Sequence, residues 1–191
     1  VGTPVVAVES GYVEALGWNQ YGGWRLGIRS FDHKRYYYYA HLRKNYPYQS
    51  GLEVGSVVQA GDVIGYLGRT GYSRTENTNN IDDPHLHFGL ELIFDESQKD
   101  SNNEIWVSCY ELVKFLNLNR CEAVKVEGTK EWKRLYGIKD PLVPVQPATP
   151  SQAGPAAESQ AEPQTESQAG PRTESQAGPQ TDPQAGSQAE S

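Results

Sequence analysis

From Gly2 to Asp95 the chain reads as β-strand. Its apolar residues come in short runs cut by glycine, and none of them recurs at the spacing of a helix. Pro4 to Val8 is one run, which Gly11 breaks and Tyr12 to Leu16 resumes. Trp24 to Phe31 alternates, Asp32-His33-Lys34 supplies a polar turn, and Arg35 to Leu42 returns, which predicts a hairpin. Val54 to Gly65 sets β-branched pieces between glycines, as tight bends in a small, strongly curved sheet require. Pro84 to Leu92 closes the set. With no helical segment between these strands, an antiparallel sheet or sandwich is favoured over a parallel α/β fold.

Helical signals follow only after residue 95. Ser108-Cys109-Tyr110-Glu111 has capping-box spacing, and Tyr110, Val113 and Leu116 form an apolar stripe. A second short helix is expected over Thr129–Tyr136, with a capping threonine before it and Gly137 after it. Both are expected to pack on the edge of the β core. The domain reading is therefore a β core over 1–95, an appended helical segment over 96–140 and a tail over 141–191.

The tail is compositionally separate. Nine of the twelve prolines fall between Pro141 and Pro183, and Leu142, Val143 and Val145 are its only large aliphatic residues. Such a segment buries too little apolar surface to offset its chain entropy, so disorder is expected. An eight-residue unit runs from Thr149 to Gln188 in five imperfect copies, too short and polar to pack as a repeat fold. Six acidic residues and one basic residue place most of the chain's net −7 in this tail. The remaining body has no basic stripe for nucleic acid. Cys109 and Cys121 are too few for a disulfide framework and lack metal-ligand spacing, so buried or half-buried thiols are expected. The sequence begins at Val1 and has no methionine, which reads as a processed or incomplete N-terminus. Neither a signal peptide nor a run of 18 apolar residues occurs, and a missing beginning leaves room for either.

Three of the four histidines fall in informative places. In Pro84-His85-Leu86-His87-Phe88-Gly89-Leu90-Glu91-Leu92, alternation puts Leu86, Phe88, Leu90 and Leu92 on one face. His85, His87, Gly89 and Glu91 take the other, with glycine leaving space beside two adjacent imidazoles. That suits one imidazole binding a metal while the other handles a proton. His41 ends the run Tyr36-Tyr37-Tyr38-Tyr39-Ala40-His41-Leu42, and alternation places it with Tyr37 and Tyr39. If the two strands are neighbours, three imidazoles converge. His33 lies in the predicted turn and receives no role.

Gly2-Thr3-Pro4-Val5, Tyr39-Ala40-His41-Leu42, Val54-Gly55 through Gly65, Gly68-x-Thr70-Gly71-Tyr72-Ser73 and Pro84-His85-Leu86-His87-Phe88 occur in that order. Together, over roughly residues 2–95, they resemble the lysostaphin-type (LytM-type) zinc metallopeptidases, most closely members from clostridial-type Gram-positive bacteria. The resemblance implies a duplicated-hybrid-motif-like β fold and a zinc endopeptidase acting on peptidoglycan peptides outside the cell membrane, with any membrane anchor upstream of residue 1. It implies His87 as a Zn(2+) ligand, and His41 and His85 as general base and oxyanion stabiliser. The family's two further ligands come from a His-x-x-x-Asp motif just ahead of the Gly-Thr-Pro-Val stretch, which this sequence does not contain. As given, the chain is expected to bind zinc poorly. Asp82 and Asp83 are formal substitutes, though loop acids beside a proline are ordinary turn residues. The alternative within the same fold is an inactive scaffold or activator of cell-wall or sporulation processes. Val54 to Gly65 also resembles a biotinyl or lipoyl half-motif, but no lysine stands at a matching hairpin tip. A sugar-phosphotransferase-like histidine domain has a related sheet.

Overall fold

The computed structural model describes residues 1–100 and 103–144, which fall within one compact unit, Val1–Val145. The octad repeats expected to be disordered lie outside the described residues. The chain is mainly β. In order it forms β1 (Pro4–Val6), β2 (Gly11–Asn19), β3 (Gly23–Ser30), β4 (Arg35–Ala40), β5 (Val57–Val58), β6 (Val63–Tyr66), β7 (His87–Leu92) and β8 (Ile105–Trp106). Helix α1 (Tyr110–Leu118), β9 (Ala123–Lys125) and β10 (Trp132–Arg134) follow. Six strands make an antiparallel sheet in the order β5-β2-β3-β4-β7-β8, while β1-β6 and β9-β10 form separate pairs. No helix among the described residues is long and apolar enough to cross a membrane.

The sheet has two unlike faces because alternation sorts its side chains. Val13, Leu26, Ile28, Tyr37 and Tyr39 are buried together with Val5 of β1 and Ile64 of β6, and Leu86, Phe88 and Leu90 pack against them. The sheet and the β1-β6 pair thus enclose the core, each fully buried large side chain contributing roughly 1.5–3 kcal/mol. Tyr39, 1% exposed, still satisfies its hydroxyl, which accepts the Val8 N–H at 3.0 Å.

The other face carries polar and aromatic groups. The β2–β3 register shifts between Val13 and Ala15, around Glu14, and the Glu14 carboxylate meets the buried Arg29 guanidinium at 2.7 Å. A Cβ on Gly27 would fall 1.9 Å from the Tyr36 hydroxyl, and one on Gly89 would fall 2.6 Å from the Trp106 ring. Each of these strand glycines therefore lies beneath an aromatic ring.

Three expectations for the segment after the core need correcting. Residues 129–136 form no helix. Trp132–Arg134 instead pairs antiparallel with Ala123–Lys125. The local signal was real but ambiguous, since the Thr129 hydroxyl donates to the Val126 carbonyl and accepts the Glu131 N–H, making a hairpin turn with the bonds a helix cap would use. Alternate residues then dock on the body: the Trp132 N–H donates to the Tyr66 hydroxyl, and Arg134 reaches Ala60, Gln59 and Asp62. Helix α1 forms as expected, with no fully buried residue and with Leu112 and Leu116 half-buried. Its cap is Cys109, with no side-chain capping bond, and the Ser108–Glu111 box is not made. Both cysteines are free, and Cys121 is exposed.

Candidate active site

The three histidines singled out by the sequence come together at one end of β4 and β7. The His41 ring lies 4.9 Å from that of His85 and 5.6 Å from that of His87, centroid to centroid. Register accounts for the meeting, because Ala40 pairs directly with His87 across the two strands. His33 sits at the far end of the β3–β4 hairpin, in a concavity shared with Asp32, Lys34, Ile93, Phe94, Asp95 and Glu96.

His41 reaches this cluster by a different route from the one alternation gives. Tyr37 and Tyr39 face the core, whereas His41 stands with Tyr38, whose ring meets His87 edge-on at 5.7 Å. The reason is local: His41 has φ +61°, a left-handed conformation that ends the strand and turns its side chain to the opposite face. Such a conformation costs a non-glycine residue about 1–3 kcal/mol and needs outside support. Support comes from three bonds. The His41 N–H donates to Gly22 at 2.8 Å, its carbonyl accepts from Gly68 at 3.0 Å, and Nδ1 contacts the Thr70 carbonyl at 2.9 Å.

A carbonyl can only accept, so Nδ1 of His41 carries the hydrogen and Nε2 keeps its lone pair. Burial holds this imidazole below the usual histidine range, and the nearby His85 and His87 push the same way against the opposing bond to Thr70. A lowered pKa favours the neutral ring, which is the form able to accept a proton. His85 is oriented in the same manner, with Nδ1 2.8 Å from the Asp83 carbonyl. It lies just ahead of β7, which begins only at His87, so backbone contact rather than strand pairing fixes it.

Thr70 is a residue to which sequence patterning assigns no task, although it stands within the quoted Gly-x-Thr-Gly motif. It is fully buried, and its hydroxyl accepts the Trp24 N–H at 3.1 Å and donates to the Leu42 carbonyl at 2.6 Å. The loop beyond it is held by Asn77, whose side chain accepts from the Trp24 indole and the Asn45 N–H and donates to Asn45. Thr70→Val keeps the shape but leaves a buried N–H and carbonyl without partners, at roughly 1–3 kcal/mol. Urea unfolding should register that loss, and a change below about 0.5 kcal/mol would mean the hydroxyl bonds contribute nothing.

Tyr72, with φ +48°, lays its ring over His41 at 6.0 Å and 23° and remains 59% exposed. On the opposite side, the space expected beside Gly89 is filled by Trp106, whose ring meets Tyr38 at 6.3 Å. Nothing in the local pattern around Trp106 signals this, because the contact depends on β8 joining the sheet.

The donor chemistry suits zinc. His87 is exposed at the start of its strand, and no hydrogen bond among the described residues occupies its ring nitrogens. Zinc takes three or four protein ligands. Among the described residues, no group of three or more His, Cys, Asp or Glu side chains is placed to hold a metal together. Asp82 is fully exposed and points toward Arg69 at 3.9 Å.

The family model described as Peptidase family M23 matches residues 1–101. Over 89 residues the chain is 40% identical to the L-Ala--D-Glu endopeptidase of Bacillus subtilis (strain 168), taking in 47% of this chain and 26% of that protein. It is 39% identical over 89 residues to lysostaphin of Staphylococcus simulans, taking in 46% of this chain and 15% of that protein. A crystal structure from Ruminococcus gnavus ATCC 29149, provisionally described as a glycyl-glycine endopeptidase (lytM), is 37% identical with a TM-score of 0.51, over 61% of this chain and 42% of that one. The chain therefore spans about a quarter or less of the two curated relatives. A match over more than half of the sequence, carried on the fold and the histidine-bearing strands described above, shows that the chain belongs to peptidase family M23.

Proposed function

We propose that this domain belongs to a zinc-dependent endopeptidase that hydrolyses peptide bonds of peptidoglycan on the outer side of the cell membrane. The observation that supports it is the pair of imidazoles, His41 and His85, 4.9 Å apart and each tied through Nδ1 to a backbone carbonyl, with the His87 ring 5.6 Å from that of His41. In this reading His87 is the zinc ligand from this chain, joined by the His-x-x-x-Asp pair that the resemblance puts ahead of Gly2. Zinc, when bound, supplies a Lewis acid and an acidified water. His41 and His85 then share the proton work. Either bare Nε2 can accept the proton of the attacking water. Once protonated, it can donate a hydrogen bond to the oxygen on which negative charge develops.

The test uses the full-length protein, with zinc content and peptide cleavage measured side by side. His41→Ala and His85→Ala should each retain zinc while turnover falls about 10²–10⁴-fold. Loss of metal in either variant would exchange the ligand and catalyst assignments. The alternative within the same fold is an inactive scaffold or activator of cell-wall or sporulation processes. A full-length wild type that lacks zinc and cleaves no cell-wall peptide would establish it.

A further inference from the structure

Trp106 lies beyond the residues matched by the family model, yet it forms part of the surface next to the histidines. Strand β8 pairs with β7, setting Trp106 opposite Glu91 on the same face as Gly89 and His87. The indole occupies the space that a side chain at position 89 would fill, and it meets Tyr38, which in turn meets His87. Gly89 follows His87 by two residues, so the ring stands roughly 7 Å along the strand from the proposed ligand. A peptide laid in extended form along this face covers that distance with two residues.

The chemistry presented at this point is narrow. Trp106 is 42% exposed, but its Nε1–H already donates to Glu104 at 2.9 Å. What remains for a ligand is the carbon surface of the indole, which rewards C–H groups and offers no hydrogen bond. A glycine-only peptide has no side chain to place there.

We infer that Trp106 is a specificity-determining residue that packs against a substrate side chain one or two residues from the scissile bond. It selects side-chain-bearing stem peptides over glycine cross-links. The inference rests on the endopeptidase reading for its kinetic arm, and its binding arm stands apart from that reading.

In the kinetic arm, the full-length protein is compared on the stem tetrapeptide L-Ala-γ-D-Glu-L-Lys-D-Ala and on pentaglycine. The ratio of the two kcat/KM values should favour the tetrapeptide and fall about tenfold or more in Trp106→Ala, chiefly through KM. Trp106→Phe keeps a ring over Gly89 and should retain most of the preference, which guards against a misfolded alanine variant. An unchanged ratio in Trp106→Ala, or a wild type that prefers pentaglycine, overturns the inference. In the binding arm, the His87→Ala chain is titrated with each peptide and followed by the indole N–H resonances. The tetrapeptide should shift the Trp106 signal and pentaglycine should not. A Trp106 signal unmoved by the tetrapeptide, or moved by a chitin disaccharide instead, overturns the assignment. If the wild type cleaves neither peptide, the endopeptidase reading fails, and this titration still decides the subsite.

Discussion

His87→Ala in the full-length protein should lose its bound zinc and reduce peptide hydrolysis by about 10³-fold or more. A metal that supplies several kcal/mol of charge stabilisation accounts for that many powers of ten at about 1.4 kcal/mol each. The fold should hardly notice. His87 is exposed at the first position of β7, outside the cluster of buried residues, and its removal costs only its ring contacts with Tyr38 and His41. Thermal unfolding of the zinc-free forms should therefore agree between variant and wild type to within about 1 kcal/mol. Zinc stoichiometry is the decisive readout, because cleavage could fail for many reasons. A variant that retains one zinc per chain would show that His87 is not a ligand. The contrast with His41→Ala and His85→Ala, where zinc should stay and turnover should fall, separates holding the metal from moving the proton.

How far the sequence carried depended on whether a feature was set locally or by tertiary contact. The apolar face Leu86-Phe88-Leu90 follows from a period of two, and the structure has it, whereas the pairing with the tyrosine strand enters the sequence reading only as a condition, which the structure meets. The side on which His41 stands does not follow, since one left-handed residue reverses it and the carbonyls of Gly22 and Thr70 stabilise that conformation from distant positions. The convergence of the histidines was thus reached with the wrong face for one of them. Thr129 illustrates the same limit, because a hydroxyl that bonds nearby backbone suits a cap and a hairpin turn equally. Alternation leaves open space at Gly89, and only the later pairing of Ile105–Trp106 with Glu91 and Leu92 brings in the ring that fills it.

Gly23→Ala should lower the stability of this domain by about 3–5 kcal/mol and disable the site with it. Gly23 has φ +65°, and a Cβ there would lie 2.4 Å from the Thr70 carbonyl carbon, 2.5 Å from the Gly71 nitrogen and 2.6 Å from the Thr70 oxygen. All three are backbone atoms, so no rotamer change relieves the clash and β3 must draw away from the Thr70–Gly71 segment. Gly17 is the matched control. It too has positive φ, at +129°, but nothing lies within 4 Å of its Cβ position. Gly17→Ala should therefore cost only the conformational share, about 1–3 kcal/mol. Urea unfolding of both variants isolates the steric share by difference, and equal losses would refute the close approach at Gly23. The site is affected because the displaced group is the carbonyl that accepts the His41 Nδ1–H. Without it the tautomer and ring orientation of His41 are no longer fixed, and its left-handed backbone loses one of three supports. Activity per folded molecule, measured where Gly23→Ala remains mostly native, should fall by at least tenfold, whereas Gly17→Ala should keep wild-type turnover.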